Sequence, residues 1–268
     1  MSEKRRLEGK VAIIAGGGQT PGETIGNGRA TAIVFGREGA RVLVADRDLS
    51  SAEETLALVQ EAGGEGSCLE ADLTREADCL RVVQTCLERY GRIDILHDNV
   101  GKSQGDAEVS TTEEASWQAI FDLNLKSYML LCKHVLPVMR AQQEGVIINV
   151  SSIASLCTMT GPAYKTSKMG VNGLTQLLAV ENGKHGVRVN AILPGLMDTP
   201  MAIERRARER NVAREVIRAE RDRAVPLRRK MGTGWDVAHA ALYLASDEAS
   251  FVSGVCLPVD GAQSARVG

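Results

Sequence analysis

No window of the 268-residue chain holds the ~18 uninterrupted apolar residues that a membrane-spanning helix requires. The charged opening, MSEKRRLEGK, has no apolar stretch of signal-peptide length, which predicts a cytoplasmic protein. Neither sign of charge dominates. The 32 Lys+Arg and 34 Asp+Glu leave a formal charge of −2, which excludes the strongly basic signature of a dedicated nucleic-acid binder. The six cysteines (Cys68, Cys79, Cys86, Cys132, Cys157, Cys256) contain no C-x-x-C and predict reduced, mostly buried thiols. No two of the four histidines have metal-ligand spacing, so no metal is expected. Linkers, repeats and low-complexity tracts are missing, and a chain of this length buries enough surface to need no staple. One domain over residues 1–268 is expected.

What is present is an alternation of two periods. Short runs rich in Val, Ile and Leu read as strands: Val11–Ala15, Arg41–Ala45, Gly66–Ala71, Ile93–His97, Gly145–Val150, Val187–Ile192 and Val255–Val259. Amphipathic stretches between them read as helices: Gly28–Glu38, Ser51–Glu61, Glu76–Arg89, Trp117–Arg140, Tyr164–Lys184 and Trp235–Ser246. Nearly all-apolar strands suit a parallel sheet covered on both faces. The alternation therefore predicts an α/β fold of Rossmann type, a doubly wound sheet of about seven strands. Met201 to Lys230 breaks the pattern as a helical insertion after the sixth strand, over the carboxyl edge where such sheets bind ligands. It holds ten arginines from Arg205 to Arg229, interspersed with Glu204, Glu209, Glu215, Glu220 and Asp222. Two readings stand: a solvated, ion-paired or intersubunit face, or a lid that recruits an anionic substrate.

The first predicted strand runs into Gly16-Gly17-Gly18 and then Gly26-Asn27-Gly28. Glycines here let the backbone approach a pyrophosphate, and the next helix offers free N–H groups to it. A strand ending in Asp46 follows; its carboxylate can accept both ribose hydroxyls of NAD and would repel the 2′-phosphate of NADP. Arg47 opposes that preference, yet the charge conflict at Asp46 is the more direct effect, so NAD is expected over NADP. Asp72, before Leu73, reads equally as an acceptor for the adenine edge or as a cap for the next helix. Tyr164 and Lys168 stand four apart on a predicted helix and share a face. A nearby ammonium, together with the positive charge of an oxidised nicotinamide, favours the phenolate and lowers its pKa, making Tyr164 a general acid/base. Ser152, after the fifth strand, can stabilise charge on the same substrate oxygen, with Ser151 as the alternative.

From Gly9 to Gly261 the sequence resembles the NAD(P)-dependent short-chain dehydrogenases/reductases, in the branch with Tyr-x-x-x-Lys. The resemblance rests on motifs in that family's order: Gly16 with Gly26-Asn27-Gly28, Asp46, Asp72, Asn99-Val100-Gly101, Asn124, Ser152, Tyr164 with Lys168, Pro194-Gly195 and Thr199. It implies that Tyr164 is the acid/base and Ser152 polarises the substrate oxygen. Lys168 would tune Tyr164 and bind the nicotinamide ribose, and Asn124 would hold a water linking Lys168 to solvent. Thr199 and the backbone near Met197 would bind the carboxamide. It also implies a dimer or tetramer through the helices carrying Asn124 and Tyr164, and a small-molecule alcohol or ketone substrate.

Four departures stand out. Six extra residues separate Gly16 from Gly26, a stretched turn that resembles the divergent enoyl reductases, whose Tyr-to-Lys spacing is longer than here. Ala15 replaces a threonine. Asp98 stands where the family has Asn and is expected to be an acceptor that stabilises the sheet. Ser152 lies twelve residues before Tyr164, where thirteen is frequent. The leading expectation is an NAD-dependent secondary-alcohol dehydrogenase or ketone reductase. The alternatives are an NADPH-dependent 3-oxoacyl-thioester reductase, which Asp46 opposes, and a non-catalytic cofactor-binding regulator, which the complete Asn124, Ser152, Tyr164, Lys168 set opposes.

Overall fold

A computed structural model of the chain describes residues 5–157 and 161–266. The seven expected strands are β1 (Val11–Ala15), β2 (Arg41–Asp46), β3 (Glu65–Glu70), β4 (Ile95–Asp98), β5 (Gly145–Val150), β6 (Val187–Pro194) and β9 (Cys256–Val259). All neighbouring pairs are parallel, in the order β3-β2-β1-β4-β5-β6-β9. The chain winds one way from β1 to β3 and the other way from β4 to β9. The crevice at the carboxyl ends of β1 and β4 is thus the switch point at which open α/β sheets bind ligands.

Residues alternate along each strand, and both faces are covered. Ala12, Ile14, Val42 and Val44 pack with Phe35 of α1 (Asn27–Arg37), Ala52 of α2 (Leu49–Glu61) and Leu242 of α9 (Gly234–Ala245). Val11, Ile13, Leu43 and Leu96 pack with Val82 of α3 (Glu76–Tyr90), Leu131 of α5 (Ser127–Gln142) and Leu178 of α6 (Pro162–Asn182). Burial on both faces explains why these strands read as apolar runs rather than as alternation.

Two helical expectations need correction. The helix expected over Trp117–Arg140 begins earlier, as α4 (Glu114–Phe121), and reaches α5 through a π-helical turn at Asp122–Lys126. Such a turn adds a residue to the helix and often marks a functional site; here it carries the buried Asn124. The insertion is two helices, not one: α7 (Pro200–Arg210) and α8 (Arg214–Ala224). Asn211, at φ 49°, breaks them, a left-handed conformation that asparagine tolerates. α8 stops at Ala224 because Val225 precedes Pro226 and is extended. The two helices pack through Ile203, Ala207, Ile217, Val225 and Met231. A short parallel pair that the sequence did not suggest, β7 (Met197–Asp198) with β8 (Gly232–Thr233), closes the base of the insertion.

Candidate active site

β1 ends at Ala15, and Gly16 takes φ +71°, a left-handed turn where a side chain would be strained. A Cβ on Gly16 would press on Val100, and one on Gly28 would strike the Gly16 carbonyl. Gly26 caps α1, whose first turn has neither an acidic residue nor a side-chain cap, so its N–H groups stay free for an anion. Of the expected glycine-turn residues, the structure thus brings Gly16, Gly26, Asn27 and Gly28 together at the crevice.

The extra loop has its own bracing. The Gln19 side chain accepts the Gly26 N–H at 2.8 Å and donates to the Thr24 carbonyl at 3.3 Å. Farther out, the loop leans on the insertion: Gly22 lies against Pro200 and Glu204, and Glu23 pairs with Arg214 and Arg218. It therefore runs beside the cradle rather than across it.

Asp46, at the tip of β2, accepts the N–H of Gly18 at 2.9 Å and of Asp48 at 3.1 Å, which fixes its carboxylate beside the glycine turn. Asp72 accepts both the N–H and the hydroxyl of Thr74. Its carboxylate makes a local turn, and α3 starts only after Arg75, so Asp72 is not that helix's cap. Leu73 sends its side chain into the core. Arg47 borders a cavity of about 330 Å³ with Glu70, Asp72, Arg75, Asp78 and Arg81.

Past β4, Asn99 donates its side-chain amide to the Gly16 carbonyl at 3.1 Å, locking the glycine turn to the switch point. Tyr164 and Lys168 lie one turn apart on α6. Two side chains that sequence reasoning missed position this helix. Asp106 accepts the N–H groups of Ala163 and Tyr164, capping α6 where Tyr164 emerges. Tyr128 is fully buried, with its hydroxyl between the carbonyls of Val100 and Val150 at 2.8 and 2.9 Å. The signal for Tyr128 was its place four residues after Asn124 in an apolar helix, since a buried phenol needs a partner. Asp106 left no signal.

Lys168 is buried and donates to the Val150 carbonyl at 2.8 Å and the Tyr128 hydroxyl at 3.1 Å. Burial lowers its pKa to about 7, against the pull of Asp98. Asn124 grips the Lys102 backbone, accepting its N–H and donating to its carbonyl, and also donates to Ser167. Gly101 lies between Lys168 and Asn124: a Cβ there would be 3.4 Å from Lys168 Nζ and 3.5 Å from Asn124 Oδ1. Ser151 spends its hydroxyl on the Lys168 carbonyl, whereas Ser152 accepts the Ala154 N–H and keeps its proton to donate.

The charges of the site differ from expectation in two places. Lys168 by itself does not lower the Tyr164 pKa: burial raises it, opposed by the Ser152 hydroxyl and then by Arg206 and Arg205, and the expected lowering also calls on the charge of an oxidised nicotinamide. The Lys168 ammonium is turned toward Tyr128 and the Val150 carbonyl, so it does not outweigh the burial of Tyr164. Asp98 is no sheet acceptor either. It is fully buried, and neither oxygen has a hydrogen bond of good geometry. Burial pushes its pKa up to about 7, although Lys168 and the Val100 N–H favour the charge.

After β6, a Cβ on Gly195 would run into Asp260 and Gln263, and Leu196 donates its N–H to Gln263. Pro194, Gly195 and Met197 thereby follow the carboxyl edge into α7. Thr199 begins α7 without using its hydroxyl as a cap, which leaves that hydroxyl available. The cysteines carry no disulfide among the described residues; burial pushes the thiols of Cys79 and Cys86 up to about 12. No cluster of metal-ligating side chains occurs among the described residues. No helix among them is long and apolar enough to cross a membrane.

A family model described as enoyl-(acyl carrier protein) reductase matches residues 23–262. A 3-oxoacyl-[acyl-carrier-protein] reductase of Thermotoga maritima is 36% identical over 262 residues, 96% of this chain and 98% of that protein. The chain belongs to the short-chain dehydrogenase/reductase family. A crystal structure of a short-chain dehydrogenase/reductase from Burkholderia xenovorans superposes with a TM-score of 0.92 at 41% identity, covering 98% of this chain and 99% of that one. The NAD+-bound structure of a xylitol dehydrogenase superposes with a TM-score of 0.87 at 28% identity, over 96% and 99% of the two chains. Like its family, this short-chain dehydrogenase/reductase is a nicotinamide-dependent oxidoreductase acting on CH–OH groups.

Proposed function

We propose that this chain transfers a hydride between NAD(H) and a secondary alcohol or ketone, with Tyr164 exchanging the hydroxyl proton. The observation that carries the reading is the convergence of Tyr164, Lys168 and Ser152 at the carboxyl edge of the sheet, beside the glycine cradle. The residues fit a dinucleotide: a cradle that a Cβ on Gly16 or Gly28 would fill, and an uncapped helix N-terminus without acidic residues. When bound, the nicotinamide accepts or returns the hydride. Gly16, Gly26, Asn27 and Gly28 would hold the diphosphate, and Asp46 the adenosine ribose. Asp72 and the Leu73 backbone would border the adenine, Asn99, Val100 and Gly101 would flank the nucleotide, and Lys168 would hold the second ribose. Pro194, Gly195, Met197 and Thr199 would meet the carboxamide.

The preference for NAD over NADP rests on charge. Asp46 faces the glycine turn, and around Arg47 the carboxylates of Glu70, Asp72 and Asp78 match its charge and those of Arg75 and Arg81. A 2′-phosphate would find no surplus of positive charge there.

In the oxidative direction Ser152 donates its hydroxyl proton to the substrate oxygen and holds it in place. Tyr164, as the phenolate that the charges of Lys168 and an oxidised nicotinamide would favour, takes the alcohol's proton at Oη as the carbon gives up its hydride, and the C–O bond becomes a carbonyl. Lys168 supplies a positive charge beneath the site, and Asn124 would hold the water that links it to solvent. Exposed Met129 on α5 and Met169, Leu177 and Val180 on α6 support assembly into a dimer or tetramer. The cytoplasm is the proposed location.

The test is Tyr164→Phe. On a secondary alcohol identified by screening with NAD and NADP in parallel, kcat falls by about 100- to 10,000-fold. The affinity for the dinucleotide changes by no more than about threefold, since the substitution removes one hydroxyl. Turnover that survives the substitution defeats the assignment.

A further inference from the structure

The arginines of the insertion divide into three sets. Arg208, Arg210, Arg223, Arg228 and Arg229 are exposed, and Arg210 pairs with Glu220 between α7 and α8. Arg214 and Arg218 turn inward, and three carboxylates neutralise them: Glu23, Glu204 and Asp198. Arg205, Arg206 and Arg221 also turn inward, with no such compensation.

The third set lies at the reacting end. Arg205 Nη2 donates to Ser103 Oγ at 3.1 Å, on the loop whose Asp106 caps α6 at Tyr164. Its Nε is buried with no hydrogen-bond partner, and its nearest carboxylate, the half-exposed Glu209, lies 3.8 Å away. Arg206 donates only to the Ala202 carbonyl of its own helix, and Arg221 only to the Met197 carbonyl and the Met231 sulfur. Neither has a carboxylate within 4 Å among the described residues. Asp222, nearby on α8, spends an oxygen on the Met231 N–H. Arg205 and Arg206 both act on the charge of Tyr164; burial and then Arg205 disfavour the charge of Arg206 against Glu209, and burial, Arg206 and Arg205 disfavour that of Arg221 against Asp198 and Asp222.

Half-buried guanidiniums this close together, with no carboxylate hydrogen-bonded to any of them among the described residues, are costly unless something anionic joins them. Glu204, Glu23 and Asp198 instead pair directly with Arg214 and Arg218. We infer that Arg205 and Arg206, supported by Arg221, form a subsite for an acid group on the substrate, so that the enzyme acts on alcohols or ketones bearing a carboxylate or phosphate. The planar guanidinium fork matches either oxyanion. This rests on the proposed hydride transfer at Tyr164 and adds its substrate class. It also separates the two earlier readings of the arginine-rich segment: the outer arginines are the solvated face and the inner ones the recruiting face.

The experiment compares charged and neutral versions of one ketone on the NADH-loaded enzyme, by calorimetric titration and by turnover. The pairs are 4-oxopentanoate with its methyl ester, and dihydroxyacetone phosphate with dihydroxyacetone. At least one anion is expected to bind ten times more tightly than its neutral partner, and the pair that does so tells carboxylate from phosphate. Arg206→Gln or Arg205→Gln shrinks that ratio at least tenfold, and raising NaCl from 50 to 500 mM shrinks it in the wild type. Arg208→Gln, an exposed change on the same helix, leaves the ratio intact. The inference is overturned if the wild type prefers neither anion, binding neither member of a pair included, or if Arg206→Gln and Arg205→Gln leave the ratio unchanged. Tyr164→Phe separates the two readings. Turnover lost in that variant with no anion preference in the wild type sinks only the subsite; anion preference with turnover retained sinks only the role of Tyr164.

Discussion

Asp98 is the residue least at ease in this molecule. It is fully buried at the end of β4, and burial holds its pKa up at about 7, against an ordinary value of 3.8. A raised carboxyl pKa means that the folded state keeps a proton which the unfolded state has lost. The contribution of Asp98 to stability then falls as pH rises from about 4 to about 7. The salt-bridged carboxylates Glu76, Asp78, Asp122, Glu144 and Glu220 have lowered pKa values and act in the opposite sense, below about 4.5. Asp98→Asn should therefore gain stability relative to the wild type as pH rises from 5 to 7. The variant should be more stable than the wild type at pH 7.5 by on the order of 1 kcal/mol, the scale of a buried, poorly paired polar group. Urea unfolding of both proteins at pH 5 and 7.5 checks this, and equal slopes for the two would refute it. Lys168, with its lowered pKa, works above pH 7, whereas buried His97, its pKa lowered to about 3, makes stability rise with pH up to about 6.5 and opposes Asp98 in this window; both are common to the two proteins, so the difference between them reports Asp98.

At the scale of elements, the stretched glycine loop and the insertion are one assembly. Glu23 reaches Arg214 and Arg218, and Gly22 sits on Pro200 and Glu204. The pairs are partly exposed, with Glu23 57% accessible, so each is worth no more than about 1 kcal/mol. Glu23→Gln should raise the KM for both dinucleotide and substrate by about two- to fivefold and leave kcat nearly unchanged. In 0.5 M salt the difference from wild type should vanish. Steady-state kinetics at two ionic strengths decide it. A change confined to one ligand would mean that the loop and the insertion work separately.

The contrast between what could and could not be read shows here. Tyr164, Lys168, Ser152 and the glycine turn were legible because their chemistry follows local spacing: one helical turn, one strand end, one left-handed glycine. The choice of Ser152 over Ser151 was legible in outline, and the structure supplies the reason in the Ser151 bond to the Lys168 carbonyl. Asp106, Tyr128 and the partition of the arginines were not legible. Each depends on which residue lies opposite across tens of positions of chain, and periodicity carries no such information. The pKa of Tyr164 escaped for a related reason: helical spacing gave the nearness of Lys168, but the burial of Tyr164 and the turn of the ammonium toward Tyr128 and the Val150 carbonyl are tertiary facts.

For the whole molecule, the doubly wound parallel sheet followed from alternation because both its faces are covered, whereas its strand order is a tertiary fact. The break between α7 and α8 was harder, since Asn211 suits a helix interior nearly as well as a left-handed corner. The outer faces of α5 and α6 leave Met129, Met169, Leu177 and Val180 exposed, Val180 at 83%. Assembly through these helices predicts that Leu177→Glu with Val180→Glu lowers the sedimenting mass to that of a monomer. Analytical ultracentrifugation checks it, and a wild type that already sediments as a monomer refutes the assembly.

The short β7–β8 ladder brings Met197–Asp198 alongside Gly232–Thr233, so the excursion between them departs and returns at one hydrogen-bonded doorway. Its apolar contacts are largely its own, among Ile203, Ala207, Ile217, Val225 and Met231. Such a segment behaves as an exchangeable cassette. A relative could trade the whole excursion for one of different length or charge, and so change its clientele, while the sheet beneath kept its register and its chemistry.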